Sequence, residues 1–129
     1  MYYSMKRIVL DGNICSGKTY YLNRLKQHLI SIELHEGSQP DAIKLSPDAI
    51  IYLSCHPLVC YQRVLQRSPH NNLTLDDLKQ SHLIYEKMYD VLNCPIRIYK
   101  VNSQQDPETV YNTLKQIIEK EGSKIQGLS

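Results

Sequence analysis

A chain of 129 residues, 42% of them hydrophobic, can bury one respectable core but not two. Its formal charge of +2 comes without any block of Lys or Arg, which leaves no electrostatic footprint for nucleic acid, and no apolar run approaches the length of a membrane span. Phe and Trp are absent while Tyr occurs 10 times, so any aromatic packing or base stacking falls to tyrosine.

Residues 7–11 carry the apolar run Ile8-Val9-Leu10, as a buried parallel strand requires. Gly12-Asn13-Ile14-Cys15-Ser16-Gly17-Lys18-Thr19 follows directly and has the G-x-x-x-x-G-K-T spacing of a phosphate-binding loop. Glycines let successive N–H groups converge on a phosphate, and the next helix adds the positive end of its dipole. In such a loop Lys18 reaches the β- and γ-phosphates, and the Thr19 hydroxyl ligates the Mg²⁺ that bridges them. Leu22, Leu25 and Leu29 recur at helical spacing, predicting a helix over 17–30. Strand, glycine turn and helix therefore stand in the order the motif needs.

Residues 31–36 alternate apolar and polar as a partly exposed strand, and Gly37 to Asp41 is dense in turn residues. Residues 42–45 read equally as helix or strand, and Ser46-Pro47-Asp48 is a turn. The run Ala49-Ile50-Ile51-Tyr52-Leu53 reads as a central buried strand. Pro57 suits the first position of a helix that reaches about Gln66 with Leu58, Tyr61, Val64 and Leu65 on one face. After the polar loop 68–72, Thr74 is an N-cap, with Asp76 and Asp77 in the first turn of a helix reaching Leu92. Asn93-Cys94-Pro95 stops it, and residues 96–101 alternate as a strand. Asp106-Pro107 opens a last helix whose Val110, Leu114, Ile117 and Ile118 face inward, with residues 121–129 expected to form a frayed tail.

The order of elements predicts one α/β domain, with a parallel sheet of about four strands and helices on both faces. The expected strand order is 31–36, 7–11, 49–54, 96–101. This puts the glycine loop at the carboxyl edge of an inner strand, where such sheets bind ligands. The four cysteines form no C-x-x-C pair and no zinc pattern with His, which fits a reduced setting, cytoplasmic or nuclear. Cys55, Cys60 and Cys94 read as small buried side chains. Cys15, beside Lys18 and a helix start, has the surroundings of a reactive thiolate.

Asp11 to Thr19 resembles the G-N-I-G-S-G-K-[ST] loop of the deoxyribonucleoside kinases, the thymidine, deoxycytidine and deoxyguanosine kinases of animals and some viruses. Pro47 to Leu53 is similar to that family's P-D-L-I-I-Y-L strand, and Pro57 to Arg67 to its P-E-V-C-Y-E-R-I-x-x-R helix. His82, Tyr85 and Glu86 fall where the family has L-H-x-x-Y/H-E, and Val101-Asn102 leads into a segment like its adenine loop. The likeness covers residues 7–37 and 47–119.

The resemblance implies a P-loop kinase fold that binds ATP and Mg²⁺ and phosphorylates the 5′-hydroxyl of a deoxynucleoside, in the host cytoplasm if the source is viral. ATP would be held by Gly12 to Thr19 and by Asn102, Ser103, Gln104 and Gln105, with Thr19 on the metal. Glu36 occupies the place of the family's general base, and it also reads as a solvated carboxylate at a strand end; Glu33 is the weaker candidate. Arg63 and Arg67 match the lid arginines that clamp phosphates, or form an exposed helix face. Pro69 replaces the third lid Arg, and the lid Glu has no counterpart among His70, Asn71 and Asn72. Between Pro40 and Ser46 the family inserts several helices and its E-R-S or D-R-S strand, which hold the nucleoside and much of the dimer contact. Two readings follow: a shortened kinase, or a nucleotide-binding or structural descendant without turnover. Loss of those helices predicts exposed apolar surface and hence a homo-oligomer or a protein partner.

Overall fold

The computed structural model describes residues 6–13, 15–26, 32–36, 46–91 and 96–125. In chain order these form β1 (Lys6–Gly12), α1 (Lys18–Lys26), β2 (Ile32–Glu36), β3 (Ala49–Ser54), α2 (Pro57–Arg67), α3 (Leu75–Val91), β4 (Arg97–Asn102) and α4 (Pro107–Ile125). Residues 42–45, left open between helix and strand, lie outside the described residues, as do Ile14, Cys94 and the expected end of the first helix at 27–30.

Among the described residues the strands make one parallel sheet in the order β2-β1-β3-β4, as expected. Val9 of β1 pairs with Ile50 of β3 and Leu10 with Ile51, so the two most apolar runs are inner neighbours. Both are buried on both faces, with Ile8 to Leu10 and Ala49 to Ile51 at 0% exposure, and that explains why they read as unbroken hydrophobic runs.

The helices pack on both faces of the sheet. Leu22 and Leu25 of α1 and Val110, Leu114 and Ile118 of α4 pack with Ile8, Leu10, Ile51 and Leu53 on one face. On the other face α3 lays Tyr85 and Tyr89 against Tyr52, with ring centroids 5.7 and 5.1 Å away. Such ring pairs contribute about 0.5–1.5 kcal/mol beyond their buried area. A third cluster, Cys55, Cys60, Val64 and Leu78, joins α2 to α3 beyond the carboxyl end of β3.

The local signals for helix starts hold. His56 caps α2, its Nδ1 accepting from the Leu58 N–H at 3.1 Å, and Pro57 occupies the first turn. Thr74 and Asp77 exchange hydrogen bonds at 3.1 and 3.0 Å, a reciprocal cap on α3. One expectation is corrected. The sequence predicts a frayed tail from 121 onward, yet α4 continues through Gly122 to Ile125. Glu121 accounts for this: it is fully buried and accepts from Arg97 Nε and Nη2, each at 2.9 Å, and from the Tyr99 hydroxyl, with Lys6 Nζ at 3.6 Å. Burial opposes the charge on this carboxylate, but the Arg97 and Tyr99 hydrogen bonds prevail and hold its pKa down to about 2.

Candidate functional site

Two glycines flank the junction of β1 and α1, and both have a positive φ. Gly12 has φ +155° and Gly17 φ +107°. A Cβ on Gly12 would lie 2.7 Å from the Leu53 carbonyl oxygen and 2.6 Å from Ser16 Oγ; on Gly17 it would lie 2.7 Å from the Tyr21 ring. Cys15, at φ 60°, is also left-handed, which costs a non-glycine residue roughly 1–2 kcal/mol.

Several long-range contacts hold that strained loop. Asp11 is fully buried and accepts from the Gly12 N–H at 2.9 Å and from the Tyr89 hydroxyl. Burial, then this hydrogen bond to a carboxylate, pushes the Tyr89 phenol up, so it remains a donor. Asn13 Nδ2 donates to the Leu78 carbonyl at 3.1 Å and ties the loop to α3. Arg63 Nη1 donates to the Cys15 carbonyl at 2.9 Å, while its Nη2 donates to the Ser103 carbonyl at 3.3 Å. One planar guanidinium thus spans the glycine loop and the β4–α4 connection. The same Nη1 lies 3.7 Å from Cys55 Sγ. A hydrogen bond from Cys60 and then the Arg63 charge draw the Cys55 thiol below the usual range, against the opposing effect of burial.

The expected site residues are distributed as follows. Ser16 is fully buried, and its Oγ has no hydrogen-bond partner among the described residues. Lys18 is half-buried and Thr19 exposed on the first turn of α1. Glu36 ends β2 in register with Leu10, so its backbone shares the sheet edge from which the loop springs. Glu33 sits in register with Arg7 toward the opposite end and lies 3.8 Å from that guanidinium. Arg63 is half-buried and engaged with carbonyls, while Arg67 is exposed one turn further along α2.

In the 102–105 segment, Ser103 is buried and donates its N–H to the Ser54 carbonyl at 2.8 Å. Asn102, Gln104 and Gln105 are exposed. No group of three or more His, Cys, Asp or Glu able to hold a metal occurs among the described residues. No described helix is long and apolar enough to cross a membrane.

No protein-family model and no curated protein matches this chain. The chemistry of the site therefore has to come from its own residues. The Asp11–Tyr89, Asn13–Leu78 and Arg63–Cys15 contacts were not foreseen from the sequence; only the i, i+4 spacing of Arg63 and Arg67 pointed toward that part of α2. What results is a braced, left-handed turn at the start of a helix, at the carboxyl edge of a parallel sheet. Such turns present converging N–H groups to an anion.

Proposed function

We propose that the chain is a P-loop nucleotide-binding protein of deoxynucleoside kinase type that holds ATP·Mg²⁺ at Gly12–Thr19. The observation that carries this reading is the pair of positive-φ glycines, each without room for a Cβ, at the junction of a buried strand and a helix. Leu53 and Tyr21 packed against these glycines fix the turn, and a glycine turn opening a helix at the carboxyl edge of a sheet supports anion binding. In this reading Lys18 would contact the terminal phosphates and Thr19 would hold the magnesium ion, which would neutralise phosphate charge. Arg63 positions the loop through the Cys15 carbonyl, and in this reading Arg67 would act on the transferred group and residues 102–105 on the base. Glu36, at the same sheet edge, takes the proton of an acceptor hydroxyl such as the 5′-hydroxyl of a deoxynucleoside.

Nucleotide binding without turnover is the second reading. The short 37–48 connection favours it, because only 12 residues join β2 to β3 where the kinases carry their nucleoside pocket. Thermal unfolding with and without ATP·Mg²⁺ tests the binding. Ligand at about 100 times its dissociation constant stabilises by about 2.7 kcal/mol, and Lys18→Ala removes most of that gain. An unshifted melting temperature at millimolar ATP overturns both readings. Radiolabelled phosphoryl transfer to deoxynucleosides then separates them: in a kinase Glu36→Gln lowers kcat by about 10²–10⁴ and leaves ATP affinity in place.

A further inference from the structure

Cys15 of the glycine loop, Cys55 just past β3 and Cys60 in the first turn of α2 meet in one cluster with Val64 and Leu78. All three carry free thiols.

Cys55 and Cys60 form a pair with unequal members. Cys60 Sγ donates to the Cys55 carbonyl at 3.9 Å and is also within hydrogen-bonding reach of the Cys55 sulfur. Arg63, on the same helix, donates from Nη1 to Cys55 Sγ at 3.7 Å. The bond from Cys60 and then the guanidinium charge favour a thiolate on Cys55. Cys60 is biased the other way, because giving that bond to Cys55 and being buried both keep its proton on. An ionisable sulfur beside a protonated thiol has the form of a nucleophile with its resolving partner. Access selects the oxidant. Cys55 is 2% exposed and Cys60 fully buried, so a reagent little larger than water fits where a bulky disulfide does not.

We infer that Cys55 and Cys60 are a reversible redox pair, a modification site at which a small hydroperoxide oxidises Cys55 and Cys60 closes the disulfide. The Cys55 sulfur attacks one peroxide oxygen. An S–O bond forms, the O–O bond breaks, and the leaving oxygen takes up a proton to become water or an alcohol. The Cys60 sulfur then attacks Cys55. The S–S bond forms, the S–O bond breaks, and the departing hydroxide leaves as water with the Cys60 proton. Two electrons pass from the two thiols to the peroxide, and a dithiol reductant returns them. The inference does not depend on nucleotide binding. Its product nevertheless adjoins the glycine loop, since the Nη1 that faces Cys55 Sγ also holds the Cys15 carbonyl.

Peptide mapping of the full chain tests this. The protein is treated with hydrogen peroxide, quenched, unfolded in urea with iodoacetamide and digested with trypsin. Cleavage after Lys44 and Arg63 releases residues 45–63 as one peptide that holds both cysteines. That peptide should be unalkylated and two hydrogens lighter than its dithiol form, and dithiothreitol should restore both thiols. Cys60→Ser should halt the reaction at a sulfenic acid on Cys55, captured by dimedone. Cys55→Ser should leave Cys60 as a thiol. Cys94→Ser, which removes the cysteine outside the described residues, should leave the disulfide unchanged. A fully alkylated 45–63 peptide after peroxide, a disulfide to Cys15, dimedone capture on Cys60 in Cys55→Ser, or loss of the disulfide in Cys94→Ser would each overturn the inference.

Discussion

Cys15 has its backbone at φ 60°, and its carbonyl oxygen receives Arg63 Nη1 at 2.9 Å. The strain and its restraint therefore meet at one peptide group. Arg63→Ala removes charge-assisted bonds to two carbonyls, each worth about 1.5–3 kcal/mol when made to a charged group. Because the site is only half-buried, the expected loss in urea unfolding is about 3 kcal/mol, at the low end of that sum. Arg63→Lys should recover little, since one ammonium cannot span both oxygens as the planar fork does. Cys15→Gly should offset part of the loss by relieving the left-handed strain. An Arg63→Ala protein as stable as wild type would show that the brace is ornamental.

At the scale of elements, α4 and β4 are fastened to each other and to β1 by Glu121 with Arg97, Tyr99 and Lys6. The pKa of Glu121 is depressed in the folded chain, to about 2, from about 4.3 in an unfolded one. Its contribution is therefore complete above the ordinary glutamate range and disappears as pH falls from about 4.3 through about 2. Glu121→Gln should destabilise by about 2–3 kcal/mol at pH 7, the worth of hydrogen bonds to a charged group, and should shrink the difference from wild type toward pH 2. Denaturation midpoints of both proteins across pH 2–7 check the convergence; a pH-independent gap would mean that packing, not charge, holds α4.

These two clusters also mark where the sequence stops being informative. Strand runs, the glycine loop and the caps at His56, Thr74 and Asp106 depend on neighbours a few residues apart, so periodicity and turn chemistry expose them. Strand order followed from the same local evidence, because two runs apolar on both faces have to be inner strands. The tail was misjudged because Gly122 signals a stop locally, while the partners that keep α4 wound, Arg97 and Tyr99, lie on another element. Arg63 with Cys15 and Tyr89 with Asp11 are separated by 48 and 78 residues, and nothing in either neighbourhood announces the other.

For the whole molecule, α2 and α3 present large apolar side chains to water. Leu83 and Ile84 on α3 are 67% and 51% exposed, and Leu58 and Leu65 on α2 are 45% and 39% exposed. Large apolar groups concentrated on two packed helices favour association of copies in solution. Light scattering at high concentration should return a mass above the 15.0 kDa of one chain, and Leu83→Lys with Ile84→Lys should bring it down to that value. A wild-type protein of monomer mass at every concentration contradicts this expectation.

The tyrosine ladder makes this protein its own optical probe. With no tryptophan to dominate the signal, near-ultraviolet absorbance and emission arise from tyrosine alone. The Tyr52 and Tyr89 rings lie 5.1 Å apart, tilted by 33°, and their hydroxyls are bound to the carboxylates of Glu86 and Asp11, an arrangement that shifts absorbance to the red and dims fluorescence. Asp11 is also the acceptor for the Gly12 N–H, so any rearrangement of the glycine loop alters the surroundings of the Tyr89 phenol directly. Difference spectra of the unlabelled chain can therefore report loop occupancy in real time, with Tyr89→Leu as the variant in which that signal goes dark.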